Sequence, residues 1–171
     1  MSATLYMNPV STACRPVSLL IAEKRLPVTE QFVDLMAGEQ RGAAFVALNP
    51  CCLVPVLEDG DFRMAESSAI LKYLASRFEA PEYPKDVKQR AKVDEAMDWF
   101  NTQFYRDFGY GFLYPQVFPH HRRTTDDQQQ GTIDWGRKKA GKRDILERRH
   151  CPVTSFQSRM SSGSYVIARG S

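Results

Sequence analysis

Three short stretches of this 171-residue chain combine residue types and spacings that can do chemistry. The first is Ser11-x-x-Cys14-Arg15. Two cysteines at this spacing would form a redox pair, but Ser11 stands in the first position, and a serine cannot close a disulfide. Its hydroxyl can instead donate a hydrogen bond to a bound thiolate. A free thiol ionises near pH ~8.5, and lowering that by ~2 units needs about 2.7 kcal/mol of preference for the anion. One hydrogen bond to a charged acceptor, ~1.5–3 kcal/mol, together with a helix N-terminus, ~0.3–1 kcal/mol, supplies it. The plainer role for Ser11 is a helix cap, and for Cys14, one turn in, a small buried apolar residue. The second stretch is Val54-Pro55. An X-Pro bond is the one peptide bond where cis is cheap. A cis bond here would turn the Val54 N–H and C=O outward, where an extended peptide can pair with them as an added strand. The third is Glu66-Ser67-Ser68, at the head of an apolar-periodic run. Free amides and a serine at a helix start suit a ligand carboxylate, and Glu66 can face an ammonium. Taken singly, each stretch also reads as an ordinary cap, loop or turn; their order and spacing together favour a ligand site.

The elements that must position these residues follow from local pattern. Thr4 to Met7 reads as a short strand and Asn8-Pro9-Val10 as a loop. A helix runs from about Ser11 to about Lys24, with Val17, Leu20 and Ile21 on one face and Pro16 in the first turn, where its missing N–H is not needed. Val28 to Leu35 reads as a second strand, and Ala37 to Leu48 as loop and short helix ending at Asn49-Pro50. Val56-Leu57, the turn Glu58-Asp59-Gly60-Asp61, and Phe62 to Ala65 form a hairpin, with Gly60 free to take positive φ. In the helix after Glu66, the apolar residues Ile70, Leu74 and Phe78 recur every four positions, with Tyr73 beside them.

Asn49-Pro50, Val54-Pro55, the acidic turn before Phe62, Glu66-Ser67-x-Ala69-Ile70, and Ser11-x-x-Cys14-Arg15 resemble the glutathione transferase family, in its theta-like, bacterial-type flavour. The resemblance runs from about Leu5 to about Gly136. It implies an α/β thioredoxin-like N-terminal domain followed by an incomplete all-α domain. The implied activity is conjugation of the glutathione thiolate to an electrophilic small molecule, as in detoxification, with glutathione as co-substrate and no metal. It implies Ser11 as the catalytic residue, and Gln40, Leu53, Val54, Pro55, Glu66 and Ser67 as the glutathione-binding set. Val54 would pair the cysteinyl backbone, and Glu66 and Ser67 would hold the γ-glutamyl end. The family pattern has a histidine where Gln40 stands and a lysine where Leu53 stands. Gln40 can still hydrogen-bond, whereas Leu53 cannot pair a carboxylate. Tyr105, Arg106 and Tyr110 are the candidates for an electrophile pocket, Arg106 lying near the family's helix arginine. Family members are dimers, so a homodimer is expected.

Composition sets the wider frame. Hydrophobic residues at 43% and charged residues at 25% are those of a globular protein. No apolar run approaches the ~20 residues of a membrane span, and Met1-Ser2-Ala3 leads straight into the first strand, so no membrane segment or signal peptide is expected. Four cysteines, two of them adjacent, do not make a secreted disulfide framework, which points to the cytoplasm. Three histidines give no metal-ligand spacing. Residues 1–136 carry 14 Lys/Arg against 18 Asp/Glu, and residues 137–171 carry 9 against 2. The basic excess therefore belongs to the tail, and without aromatic platforms or a binding motif it does not argue for nucleic acid. The expected layout is a glutathione-binding domain over 1–78, a linker over 79–88, a partial helical domain over 89–146, and a divergent, poorly ordered tail over 147–171. In the helical part, Val93, Met97, Phe100, Phe104 and Phe108 mark a buried stripe, and Thr124 to about Leu146 reads as another helix. A truncated or altered helical half is the reading of the tail. Two rival functions follow: a glutathione-binding module without turnover, and a thiol-redox module using Cys14 or Cys51-Cys52.

Overall fold

The structure, a computed structural model, describes residues 3–114 together with 130, 131 and 134. The chain divides into two units, one ending at Pro84 and the other beginning at Lys85. The first is built on strand β1 (Ala3–Met7), whose alternating burial puts Ala3, Leu5 and Met7 on one face and Thr4 and Tyr6 on the other. Helix α1 (Cys14–Lys24) carries the chain to β2 (Val28–Phe32), which pairs parallel with β1. A 3₁₀ turn (Glu39–Arg41) and helix α2 (Ala43–Leu48) lead to the hairpin of β3 (Val56–Asp59) and β4 (Phe62–Ala65), closed by Gly60 at φ 66°. Helix α3 (Ser67–Arg77) completes the unit. The sheet order is β2-β1-β3-β4, with β1/β3 and β3/β4 antiparallel. This is the thioredoxin-like arrangement expected from the sequence.

The register Leu5↔Leu57 sets two fully buried leucines side by side on one face of the sheet. Val17 of α1 and Ile70 and Leu74 of α3 are equally buried, and α1 and α3 pack together. The other face has its own core of Val33, Phe45 and Val56, with Tyr6, Leu35, Leu48 and Val54 against it. Polar ties span that second face. The Tyr6 hydroxyl donates to Glu58 (3.0 Å), and Arg63 donates to Glu58 (2.6 Å) and to the Ala47 carbonyl in the last turn of α2 (3.0 Å). Strand β2 stops earlier than its β-branched pattern predicts. Val33 adds one more bond, its N–H donating to the Met7 carbonyl (2.9 Å), and Asp34 Oδ1 then accepts from the N–H groups of Met36 and Ala37 (2.9 and 3.0 Å). An Asx turn has captured the backbone that would otherwise have continued the ladder.

In the second unit, helix α4 (Val87–Trp99) is capped by Asp86, whose carboxylate accepts from the Gln89 N–H (2.9 Å). Val93 and Met97 are buried, as the stripe predicts. The stripe does not continue as α-helix. Residues Phe100–Leu113 form a π-helix, so side chains four and five apart share a face. Phe100 lies against Phe104 and Tyr105 (5.2 and 6.4 Å between ring centroids), Tyr105 against Tyr110 (5.4 Å), and Tyr110 against Tyr114 (5.0 Å). The hydroxyls of Tyr105 and Tyr114, two wide turns apart, meet at 3.0 Å. A Cβ on Gly109 would stand 3.1 Å from the Tyr105 ring, so glycine is what lets that ring lie on the backbone. The Phe108 side chain is outside the described atoms. So are the tail over 147–171 and most of the helix read over 124–146, of which Gln130, Gly131 and Asp134 are helical.

Candidate functional site

Strand register brings the three chemical stretches to one end of the sheet. Tyr6 pairs with Val56, so the exit from β1 lies opposite the entry to β3. Val56 in turn pairs with Ala65, so β4 delivers Glu66 and Ser67 to that same end. The loop after β1, the segment before β3 and the start of α3 therefore converge, although they are far apart in sequence.

Ser11 sits half-buried in the loop ahead of α1. Its carbonyl accepts from the N–H groups of Cys14 and Arg15 (3.1 and 3.2 Å), and its Oγ lies 3.4 Å from the Cys14 nitrogen. Ser11 thus stands two residues before the N-cap of α1, Ala13, and its carbonyl and hydroxyl both lie by the Cys14 N–H. The loop is tied down by Asn8. Its Nδ2 donates to the Val33 carbonyl (2.8 Å), its Oδ1 accepts from the Val10 N–H (2.9 Å), and its own carbonyl accepts from the Ser11 N–H (3.0 Å). Arg15 Nε also donates to the Pro9 carbonyl (3.1 Å). Cys14 is fully buried. Burial pushes its thiol up, against the smaller opposing effects of the Ser11 hydroxyl and the Asn8 backbone, so it stays protonated at neutral pH. A buried, protonated thiol is a poor redox nucleophile, which argues against Cys14 as the centre of a thiol-redox module.

On the opposite side, the Val54-Pro55 bond is cis. Val54 packs against the Val33–Phe45–Val56 core, while Leu53 is 58% exposed. Among the described residues, no backbone hydrogen bond uses the Val54 N–H or C=O. Asn49 holds this segment. Its Nδ2 donates to the Leu53 carbonyl (2.9 Å), its Oδ1 accepts from the Cys51 N–H (3.1 Å), and its carbonyl accepts from the Cys52 N–H (2.9 Å). Cys51 is exposed and Cys52 half-buried, at φ 56°. Gln40 lies in the 3₁₀ turn, and its amide oxygen is buried with no partner among the described residues.

Glu66 precedes α3 at φ 70°, ψ 108°, a conformation non-glycine residues rarely adopt. Its carbonyl accepts from the Ile70 N–H (2.9 Å), while its carboxylate is exposed and caps nothing. Ser67 opens the helix beside the free first-turn amides. An exposed carboxylate next to anion-accepting amides is the pattern that holds an amino acid zwitterion.

The expected electrophile residues lie in the second unit, and the π-helix separates their roles. Tyr105 and Tyr110 belong to the aromatic ladder. Arg106 is exposed and bound to its neighbour Asp107 (2.8 Å), whose carboxylate raises the guanidinium pKa further. Asn8 and Asn49 were not singled out as functional side chains in the sequence, yet among the described residues they are the two buried polar ones. The available signal was their place: each is an Asn-Pro pair at the end of an apolar element, where asparagine organises turns.

Comparison with known proteins agrees with this architecture. The family profile of the glutathione S-transferase N-terminal domain matches residues 10–77. Human glutathione S-transferase theta-1 is 36% identical over 121 residues, covering 70% of this chain and 50% of the relative. The chain thus spans about half the length of the curated relatives it matches. Among solved structures, human glutathione transferase theta-2, in complex with glutathione and an unknown ligand, superposes with a TM-score of 0.70 at 28% identity over 80% of this chain and 59% of that one. The theta-class enzyme of the citrus canker pathogen Xanthomonas axonopodis pv. citri, with glutathione bound, gives 0.74 at 25% identity over 85% and 70%.

Proposed function

We propose, from the premise that residues 10–77 are a glutathione S-transferase N-terminal domain of theta-like type, that this chain binds glutathione and transfers its sulfur to an electrophilic small molecule. The observation that carries the reading is the convergence of Ser11, Val54 and the Glu66-Ser67 helix start at one end of the sheet. Glutathione enters as an added strand, its cysteinyl backbone pairing with the N–H and C=O of Val54 beside Pro55. Its γ-glutamyl carboxylate takes Ser67 and the α3 amides, and its ammonium takes Glu66. Gln40 and Leu53 border the glycyl end, where Leu53 offers no charge.

Ser11 acts at the sulfur. The thiol loses its proton to solvent, and the Ser11 hydroxyl and the α1 N-terminus hold the resulting thiolate. The thiolate then forms a carbon–sulfur bond at the electrophilic carbon, and the leaving group departs with the electron pair of the broken bond. Tyr105, Arg106 and Tyr110 are the side chains proposed for the electrophile, and the working form is a homodimer in the cytoplasm, serving detoxification. Retention of the purified protein on immobilised glutathione, elution by free glutathione, and turnover of a chloronitroaromatic electrophile are the expected results. Failure to bind glutathione overturns the reading; binding without turnover leaves a glutathione-binding module instead.

A further inference from the structure

The Asn8 side chain makes two hydrogen bonds from a nearly closed position, 4% exposed. A buried primary amide must place both a donor and an acceptor, since each left unpaired is costly. Here the donor goes to Val33, 25 residues away at the end of β2, and the acceptor takes the Val10 N–H inside the Ser11 loop. The backbone of the same residue accepts from Ser11 itself. The Asn8 side chain therefore ties the loop that presents the serine to the end of β2. In the same loop Val10 is 61% exposed, and the Arg15 bond to Pro9 lies at the surface.

We propose that Asn8 is a positioning residue for the transfer reaction, acting through Ser11 by fixing the loop that aims its hydroxyl at the sulfur. The proposal rests on the reading of Ser11 as the thiolate's partner. A hydrogen bond to an anion weakens steeply as its angle and length depart from ideal, so a loop that drifts loses thiolate stabilisation while the peptide contacts at Val54, Glu66 and Ser67 persist. Cys14 and Arg15 lie beside this loop and Glu30 acts on Cys14 through its charge, and an uncharged replacement of Asn8 adds no titratable group to them.

The test compares the full-length wild type with Asn8→Ala, Asn8→Ser, Ser11→Ala and the double variant Asn8→Ala/Ser11→Ala. Asn8→Ser adds no charge and keeps a weaker side-chain acceptor for the Val10 N–H, so it decides the case if the alanine variant does not fold. The readouts are the pH–rate profile with a chloronitroaromatic electrophile, the ultraviolet titration of bound glutathione thiolate, and KM for glutathione. Asn8→Ala is expected to raise the pH at which the bound thiol ionises by about one unit, with a roughly tenfold loss of kcat at neutral pH. KM for glutathione should stay within about twofold, and the double variant should be no worse than Ser11→Ala, since both remove the same contact. If Ser11→Ala shifts the profile and neither Asn8 variant does, the inference about Asn8 fails alone. If Ser11→Ala shifts nothing, the thiolate role of Ser11 fails and takes the inference with it. Loss of the fold in both Asn8 variants, or additive effects in the double variant, would make Asn8 a purely structural residue and overturn the inference.

Discussion

The hydroxyl of Ser11 faces two demands that do not compete. As an acceptor it lies near the Cys14 N–H at the start of α1; as a donor it keeps one proton to give. Ser11→Ala removes both, and the two losses separate experimentally. Losing the acceptor should lower stability by at most ~1 kcal/mol, read by urea unfolding. Losing the donor should move the pH–rate profile to higher pH and lower the rate at neutral pH by roughly ten- to hundredfold, with glutathione affinity nearly intact. At the other end of the ligand, Glu66→Ala or Ser67→Ala should weaken glutathione binding by ~1–3 kcal/mol, the range for a lost hydrogen bond to a charged group. Calorimetry giving unchanged affinity in both variants would remove them from the site. The positions of these residues were legible in the sequence because they depend on local pattern: a serine just ahead of a helix, an acidic residue and serines at a helix start. Asn8 was not, because its meaning depends on a carbonyl at Val33 that only the parallel pairing of β1 and β2 brings within reach.

Among the elements, helices α1 and α3 followed their hydrophobic periods, and the hairpin followed Gly60. The segment after Trp99 did not. Its apolar spacing fits an α-helix as far as Met97, Phe100 and Phe104, but Phe100, Tyr105, Tyr110 and Tyr114 advance by five, five and four. That longer step is the period of the wider helix, and the ring contacts follow it. Gly109 is the sensitive point. Alanine there gains ~1 kcal/mol of helix propensity. Its Cβ, however, meets the Tyr105 ring, which Phe100, Tyr110 and the Tyr114 hydroxyl hold in place. Overpacking of this kind costs ~1–3 kcal/mol, so Gly109→Ala should be net destabilising. A lower thermal midpoint with a weakened near-ultraviolet tyrosine signal is the expected result; an unchanged signal with a higher midpoint would show that Tyr105 yields.

For the molecule as a whole, the Tyr6–Glu58–Arg63 cluster sets limits on stability at both extremes of pH. Hydrogen bonds from Arg63 and then Tyr6 hold the Glu58 carboxyl below its usual range, so its contribution is present above the unfolded value of ~4.3 and is lost as pH falls through the folded one. Burial and then the bond to Glu58 push the Tyr6 phenol up, so its contribution is present below ~10 and is lost as pH rises past it. Urea unfolding across pH should therefore show acid weakening that Glu58→Gln reduces and alkaline weakening that Tyr6→Phe reduces. Unchanged slopes in both variants would place the titrating groups elsewhere. The strand register has one more consequence. Every chemical stretch leaves the sheet at one end, while the Gly60 turn and the connection from α1 into β2 sit at the other. Chain length and composition can drift at that far end without moving Ser11, Val54 or Glu66. The fold thereby keeps its room for evolutionary tinkering, and the natural place for an inserted tag or reporter, away from the end that carries Ser11, Val54 and Glu66.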